Sequence, residues 1–177
     1  MADRKRVLLI VSGGIAAFKS LELVRNLKTR GHAVRCILTR GGAQFVTPLS
    51  LATLSEDKVY EDLFSLTEEC EIGHIELSRD ADLLVVAPAT ADIIAKLRAG
   101  IADDLATTVL LATDKPIIMA PAMNVRMWEH PATQNNISIL KSREVIFIGP
   151  TEGKMACGEF GEGRMAEPTG ISDAIDD

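Results

Sequence analysis

The sequence has the length of one domain and an acidic, aromatic-poor composition. Its 177 residues are 47% hydrophobic and only 4% aromatic, and the formal net charge at pH 7 is −6. A chain of this size buries about two-thirds of its unfolded surface, so it needs no disulfide or structural metal, and we predict a single domain over residues 1–177. The negative charge argues against a nucleic-acid or anionic-membrane partner, because both bind basic faces.

Three cysteines, Cys36, Cys70 and Cys157, form no CxxC pair and show no repeated spacing. This pattern indicates neither a disulfide framework nor a thiolate metal site, and we predict a reducing cytoplasm. The apolar run after the basic N-terminal residues is about five residues long, too short for a signal peptide or a membrane span. We therefore interpret it as a first strand.

Five short apolar runs follow one another along the chain: RVLLIVS, AVRCILT, DLLVVAP, PIIMAP and EVIFIGP. Their length and β-branched content are typical of strands buried on both faces. The segments between them have helical periodicity, as in Ala17, Leu21, Val24 and Leu27, with Gly31 as a C-cap. Alternating strands and helices predict an α/β fold, a three-layer, doubly wound parallel sheet. The final ISDAIDD indicates the beginning of a helix, which is compatible with a longer polypeptide.

The loops at the carboxyl ends of the strands are the candidate ligand site, because open parallel sheets bind ligands there. In VSGGIAAFKS, Gly13 and Gly14 precede a helix whose N–H groups suit a phosphate. The GxGxxG spacing is absent, so a turn needed only for packing stays an alternative. Thr39 follows the second strand and Thr90 the third, where Thr90 is either a ligand contact or a helix cap. Together the three loops favour a phosphorylated cofactor.

Further polar candidates lie after the fourth strand and before the third. Asn124, in MAPAMNVRMW, offers an amide to a carboxylate or a flavin edge, or else caps a helix. His74, in ECEIGHIELSRDAD, begins an amphipathic segment that would place it near the ligand edge, although a lone histidine is more often a cap or a packed residue. We predict that His32 and His130 lie on the surface.

The segment GKMACGEFGEGRM, residues 153–165, places Cys157 among four glycines. So much glycine predicts neither a regular strand nor tight packing, but a lid that closes on a substrate. A thiol with a reference pKa of about 8.5 is mostly protonated at neutral pH and is a good proton donor. The alternative is a surface loop with an incidental cysteine.

The segments SGGIAAFK, GHIEL, APATAD, PAMN and MACGEFGEGRMAEP, in this order, resemble the family of homo-oligomeric flavin-containing cysteine decarboxylases. The resemblance runs from about Val7 to Pro168. Within the family, the chain is similar to the decarboxylases of phosphopantothenoylcysteine (PPC), in particular the N-terminal half of a bifunctional bacterial flavoprotein of coenzyme A biosynthesis. The resemblance implies a Rossmann-like FMN-binding subunit, assembled as a trimer or dodecamer, that converts 4'-phospho-N-pantothenoyl-L-cysteine into 4'-phosphopantetheine.

The resemblance also implies roles for individual residues. FMN is expected beside Gly13, Gly14, Ile15, Thr39, Thr90 and Ala122. His74, Asn124 and Cys157 are expected to serve the chemistry, and Asn124, Lys154 and Ala156 to contact the substrate; no metal is expected. Bifunctional members continue into a domain that ligates cysteine to phosphopantothenate, so these 177 residues are not expected to have synthetase activity.

Decarboxylation of a cysteine needs an electron sink, which flavin provides by oxidising CH2–SH to a thioaldehyde. Loss of carbon dioxide then leaves an enethiolate, which is reduced and protonated, so no net oxidant is consumed. Three alternatives remain at this stage: a peptidyl-cysteine decarboxylase, a prenyl-flavin synthase of similar fold, and a non-enzymatic flavin-binding regulatory subunit.

Overall fold

The computed structural model describes residues 4–63 and 70–177. Within them, six parallel strands form a sheet in the order β3-β2-β1-β4-β5-β6. The strands are β1 (Arg6–Val11), β2 (Ala33–Leu38), β3 (Val59–Tyr60), β4 (Leu83–Ala89), β5 (Ile117–Pro121) and β6 (Ile146–Phe147). The five predicted strands are confirmed. The edge strand β3 was not predicted, because two residues carry no periodic signal.

Helices connect the strands and cover both faces of the sheet. They are α1 (Phe18–Thr29), α2 (Pro48–Ser55), α3 (Cys70–Asp80), α4 (Ala91–Ala99), α5 (Leu105–Ala112), α6 (Val125–Glu129), α7 (Pro131–Ser142) and α8 (Pro168–Asp176). Gly31, with φ +91°, lies just after the end of α1, as predicted. Asp104 and Thr107 form a capping box that starts α5.

The core lies on both faces of the sheet, because consecutive strand side chains point to opposite sides. In β1, Val7, Leu9 and Val11 pack in a cluster that includes residues of α1 and α8. Leu8 and Ile10 pack in the opposite cluster, which includes residues of α4, α5 and α7. Each fully buried aliphatic side chain contributes about 1.5–3 kcal/mol. The three-layer, doubly wound architecture is thus confirmed; that residues 1–177 form one domain stays a prediction.

The glycine-rich segment differs from its prediction. It forms an antiparallel hairpin of β7 (Thr151–Lys154) and β8 (Phe160–Arg164). Gly153 and Gly163 are buried within it. A Cβ at Gly153 would lie 2.7 Å from the Arg164 side chain, and one at Gly163 would lie 2.3 Å from the backbone oxygen of Met123. The expectation of neither strand nor tight packing was wrong, because these glycines allow close approach.

The predicted surface position of His32 was also wrong. His32 is only 2% exposed. Its Nδ1 accepts a hydrogen bond from the Lys5 backbone N–H at 3.2 Å, and its Nε2 lies 2.8 Å from Oδ1 of Asp176 in α8. Arg30 binds the other oxygen of Asp176 at 2.6 Å. His32 therefore anchors the last helix to the sheet, whereas His130 is exposed, as predicted, and caps α7.

Replacing Asp176 should remove a pH-dependent part of the stability. Hydrogen bonds from His32 and Arg30 lower the pKa of Asp176, so its contribution is present above the ordinary value of about 3.9 and is lost as pH falls through the lower folded pKa. We expect Asp176→Asn to lower the urea midpoint at pH 7, and the difference from wild type to shrink below pH 4.

Asp173→Asn is the matched control, since Asp173 lies in α8 like Asp176 and its exposed carboxylate also pairs with Arg30. Exposed pairs contribute little, so its urea midpoint should stay near that of wild type. A difference between Asp176→Asn and wild type that is equal at pH 7 and pH 3 would contradict the role of Asp176.

Candidate functional site

The carboxyl ends of β1 and β4 are joined by Ser12. Its buried hydroxyl donates to the Pro88 backbone oxygen at 2.5 Å and accepts from the Thr90 backbone N–H at 3.3 Å. The Thr90 hydroxyl in turn accepts from the Ile93 backbone N–H, so Thr90 is the N-cap of α4. The capping alternative for Thr90 is confirmed, and its position at the ligand edge is retained.

Gly13 and Thr39 lie at the same edge and hold two loops together. A Cβ at Gly13 would lie 3.3 Å from the carbonyl carbon of Gly41, so the two loops meet backbone to backbone. The Thr39 hydroxyl accepts from the Gly42 backbone N–H at 3.0 Å. Gly13 therefore has a packing role, but between two loops, whereas the alternative expected packing between a strand and a helix.

A groove of about 500 Å³ opens beside this edge, between the start of α1, the loop after β5 and the hairpin. Seven of the predicted site residues line it: Gly14, Ile15, Ala122, Asn124, Lys154, Ala156 and Cys157. Its volume lies in the range of pockets that hold small ligands. Gly13, Thr39, Thr90 and His74 lie outside the lining of this groove.

Asn124 is both a helix cap and a wall of the groove. Its Oδ1 accepts from the backbone N–H groups of Arg126 at 2.7 Å and Met127 at 3.3 Å, which starts α6. Its Nδ2 faces the hairpin, 3.8 Å from Sγ of Cys157 and 2.5 Å from Oε2 of Glu159. Both alternatives for Asn124 are therefore compatible, because cap and donor use opposite ends of the amide.

The hairpin is attached to the loop after β5 and to α6 by one further contact each. The Met123 backbone N–H donates to the Gly163 oxygen at 3.0 Å, and the indole N–H of Trp128 donates to Glu162 at 3.1 Å. The tip that carries Cys157 is closed by a hydrogen bond from the Met155 N–H to the Glu159 oxygen at 2.7 Å. The thiol is thus held opposite Asn124 by ordered structure.

The two described free cysteines, Cys36 and Cys157, have opposite environments. Cys36 lies in β2 within the core, where burial raises the pKa of its thiol to about 12. Cys157 is exposed at the rim of the groove. Of these two, only Cys157 can contact a ligand without disrupting the core.

His74 lies in α3 and is half-buried. Its Nδ1 is buried and makes no hydrogen bond with any residue in the described ranges. Buried polar atoms nearly always have a partner, so the partner of this nitrogen is not among the described residues.

Two residues were not predicted from the sequence: Lys19, which lines the groove, and Glu159, which contacts Asn124. Lys19, although it lies in SGGIAAFK, was not singled out; its ammonium donates to the Met165 oxygen at 3.2 Å and to Glu167 at 2.7 Å. These bonds hold the start of α1 against the end of the hairpin. Glu159 was also missed, and its place two residues after Cys157 was the available signal.

Apolar side chains surround the groove without cover. Ile15 is 59% and Phe18 57% exposed, and both line the groove. Phe45 and Leu49, in the region that follows β2, are also exposed. Exposed aromatic and aliphatic side chains at a ligand edge are typical of a surface that another molecule covers.

A protein-family model described as Flavoprotein matches residues 1–177. The chain belongs to the Flavoprotein family. The resemblance inferred from the motifs is thereby confirmed at the level of the family. Among residues 4–63 and 70–177 of this Flavoprotein member, no helix is long and apolar enough to cross a membrane, and no group of three or more side chains is arranged to hold a metal.

Curated relatives are bifunctional proteins of coenzyme A biosynthesis. The chain is 48% identical over 169 residues to the coenzyme A biosynthesis bifunctional protein CoaBC of Escherichia coli strain K12, covering 96% of this chain and 42% of that protein. It is 47% identical over 171 residues to CoaBC of Bacillus subtilis strain 168, covering 97% and 42%. The chain thus spans about two-fifths of the length of these relatives.

Solved structures of similar proteins share the fold over nearly their full length. A cysteine-to-serine mutant of PPC decarboxylase complexed with pantothenoylaminoethenethiol has a TM-score of 0.85 and 35% identity, with 98% of this chain and 97% of that chain covered. The FMN-binding protein AtHal3 has a TM-score of 0.81 and 35% identity, with coverage of 98% and 95%. The FMN-dependent cysteine decarboxylase SpaF has a TM-score of 0.82 and 29% identity, with coverage of 98% and 96%.

Adding a methyl group at Gly163 should detach the hairpin from the loop after β5. The new Cβ would lie 2.3 Å from the Met123 oxygen, far inside contact distance. Because the single tryptophan of the chain, Trp128, donates to Glu162 of the hairpin, its fluorescence reports this docking. We expect Gly163→Ala to red-shift the emission of Trp128. Gly170→Ala is the control, since a Cβ there meets nothing within 4 Å; equal spectra for both variants would contradict the tight docking.

Proposed function

We propose that this chain is an FMN-dependent decarboxylase that converts 4'-phospho-N-pantothenoyl-L-cysteine into 4'-phosphopantetheine in coenzyme A biosynthesis. The observation that carries the proposal is the pairing of the Asn124 amide with the Cys157 thiol, 3.8 Å apart across the groove. An amide suits a carboxylate, and a thiol suits protonation of an enethiolate. The 48% identity to CoaBC and the structural similarity to PPC decarboxylase support this choice of substrate.

The residues at the carboxyl edge fit an FMN cofactor. A short 3-10 turn, Ile15–Ala17, leads into α1. Among the described residues, no side chain caps this turn at Gly14 or α1 at Ala17, so the N–H groups there are suited to the phosphate. Residues proposed to hold FMN are Gly13, Gly14, Ile15, Thr39, Thr90 and Ala122. When bound, FMN accepts the two electrons that oxidise the cysteine side chain to a thioaldehyde and later returns them.

The residues of the chain bind the substrate and move protons. Asn124 donates its Nδ2 to the substrate carboxylate and so orients the bond that breaks, while Lys154 and Ala156 contact the substrate from the hairpin. Carbon dioxide leaves because the thioaldehyde accepts the electron pair, which gives an enethiolate. Cys157 supplies the proton that accompanies the final reduction. His74 takes up or orients a proton in the oxidation step.

We further propose a homo-oligomer, a trimer or a dodecamer, in which a second subunit completes the site. The exposed Ile15 and Phe18 support this assembly, as does Nδ1 of His74, which is buried without a hydrogen bond to the part of the chain that the structure describes. The length of the CoaBC relatives supports a fused phosphopantothenate-cysteine ligase domain in a full-length protein. A cytoplasmic location is part of the same proposal.

The absorption spectrum of the purified protein, followed by measurement of carbon dioxide release, tests this function. We expect flavin absorbance and release from phosphopantothenoylcysteine, but not from a peptide that ends in cysteine. Release from the peptide alone would assign the chain to the peptidyl-cysteine decarboxylases. A flavin-loaded protein that decarboxylates neither substrate would favour the regulatory alternative.

His74→Asn should keep FMN and lose most of the turnover. His74 lies in α3 and is not part of the loops proposed to hold the phosphate, and a general acid or base commonly contributes about 10²–10⁴-fold. His130→Asn is the matched control, because His130 is an exposed cap of α7. Near-normal turnover of His74→Asn, with bound flavin unchanged, would leave His74 with a structural role only.

Cys157→Ser should separate the two halves of the reaction. A serine hydroxyl is a much weaker acid than a thiol, so the variant should oxidise and decarboxylate the substrate but fail to protonate the enethiolate. We expect carbon dioxide release together with a product two hydrogens lighter than 4'-phosphopantetheine in the mass spectrum. The saturated product at normal yield would exclude Cys157 as the proton donor.

A further inference from the structure

Glu159 places a carboxylate where the proposed substrate needs to place its own. Glu159 lies in the turn between β7 and β8 and is half-buried. Oε2 of Glu159 accepts from Nδ2 of Asn124 at 2.5 Å and lies 3.8 Å from Sγ of Cys157. A single carboxylate oxygen thus contacts Asn124 and Cys157, two of the three residues that the proposed chemistry uses.

The amide of Asn124 is fully occupied in this arrangement. Its Oδ1 is committed to the first turn of α6, and the partners of its Nδ2 are Glu159 and the weakly accepting thiol of Cys157. A ligand carboxylate that used the same nitrogen would lie beside the charge of Glu159. Like charges repel strongly in a partly buried site, so Glu159 and such a ligand compete for Asn124.

We propose that Glu159 is an internal carboxylate that binds Asn124 until the carboxylate of the substrate displaces it. The inference rests on the proposed function, since it takes the substrate from there. Displacement needs only a change of side-chain rotamer, because the backbone of Glu159 stays paired with Met155, and the hairpin is held by Gly163 and Glu162.

This competition makes Glu159 a residue that sets specificity between substrate and product. The substrate breaks the Glu159–Asn124 bond and replaces it with an equivalent one. After carbon dioxide has left, the product carries no group for Asn124, and Glu159 can bind there again. Glu159 is either bound to Asn124 or released from it. A ligand shifts this equilibrium only if it binds one of the two states more tightly, and here the carboxylate of the substrate makes that difference.

Two unreactive analogues test the proposal with the flavin-loaded enzyme. One is phosphopantothenoylserine, in which a hydroxyl replaces the thiol that the proposed oxidation needs; the other is its decarboxylated counterpart, phosphopantothenoylethanolamine. Titration calorimetry gives a dissociation constant for each. The carboxylate preference is defined as the constant of the ethanolamine compound divided by that of the serine compound. A change in packing alone alters both constants together and leaves this ratio unchanged.

We expect Glu159→Gln to raise the carboxylate preference about fivefold, because a neutral hydrogen bond to Asn124 is weaker than a charge-assisted one. Glu159→Ala, which removes the competitor without adding a new amide, should raise it as well. Glu152→Gln is the matched control: it removes the same charge from the same hairpin at an exposed position in β7, and should leave the ratio unchanged.

A carboxylate preference that is unchanged or lower in either Glu159 variant overturns the proposal. This includes the case in which the preference rises in Glu159→Gln but not in Glu159→Ala. Failure of both analogues to bind the wild-type enzyme overturns this inference, which takes its substrate from the proposed function. Carbon dioxide release from phosphopantothenoylcysteine distinguishes the two failures, since it tests the proposed function without reference to Glu159.

Discussion

The parallel pairing of β1 with both of its neighbours is the constraint on which the site depends. Ile10 pairs with Ile37 in β2 and with Val86 in β4, so the loops after all three strands leave the sheet at one edge. A slip of one residue would turn every side chain of β1 to the wrong face and expose buried polar backbone. Ser12, which joins the ends of β1 and β4, places Thr90 at the same edge.

Close backbone contact is the second constraint, and it converts a glycine-rich segment into a wall of the groove. Gly163 lies against the backbone oxygen of Met123, so the hairpin meets the loop after β5 without a side chain between the two backbones. Within the hairpin, Gly153 lies under the Arg164 side chain. The position of Cys157 therefore depends on glycines several residues away from it. A flexible loop would lose conformational entropy each time it became ordered around a ligand. The hairpin has already lost that entropy on folding, so ligand binding does not have to offset it.

Polar side chains at the ligand edge of the sheet have both a structural role and a proposed functional role. Asn124 starts α6 with its oxygen and faces Cys157 with its nitrogen, and Thr90 starts α4 at the end of β4. Such sharing couples stability to activity, because a substitution that removes the amide also removes a cap. The contact between Asn124 and Glu159 extends this sharing to the hairpin, so that ligand binding and the order of the tip use the same hydrogen bond donor.

The sequence by itself determined the five main strands, the doubly wound class and the two candidate caps, Thr90 and Asn124, because periodicity and capping depend on residues that are close along the chain. The motifs also indicated the family and seven residues of the groove. Tertiary structure alone decided the burial of His32, whose partner Asp176 is 144 residues away, and the bond between Asn124 and Glu159, which are 35 residues apart. These features depend on distances through space between distant parts of the chain, which no local pattern of residues encodes.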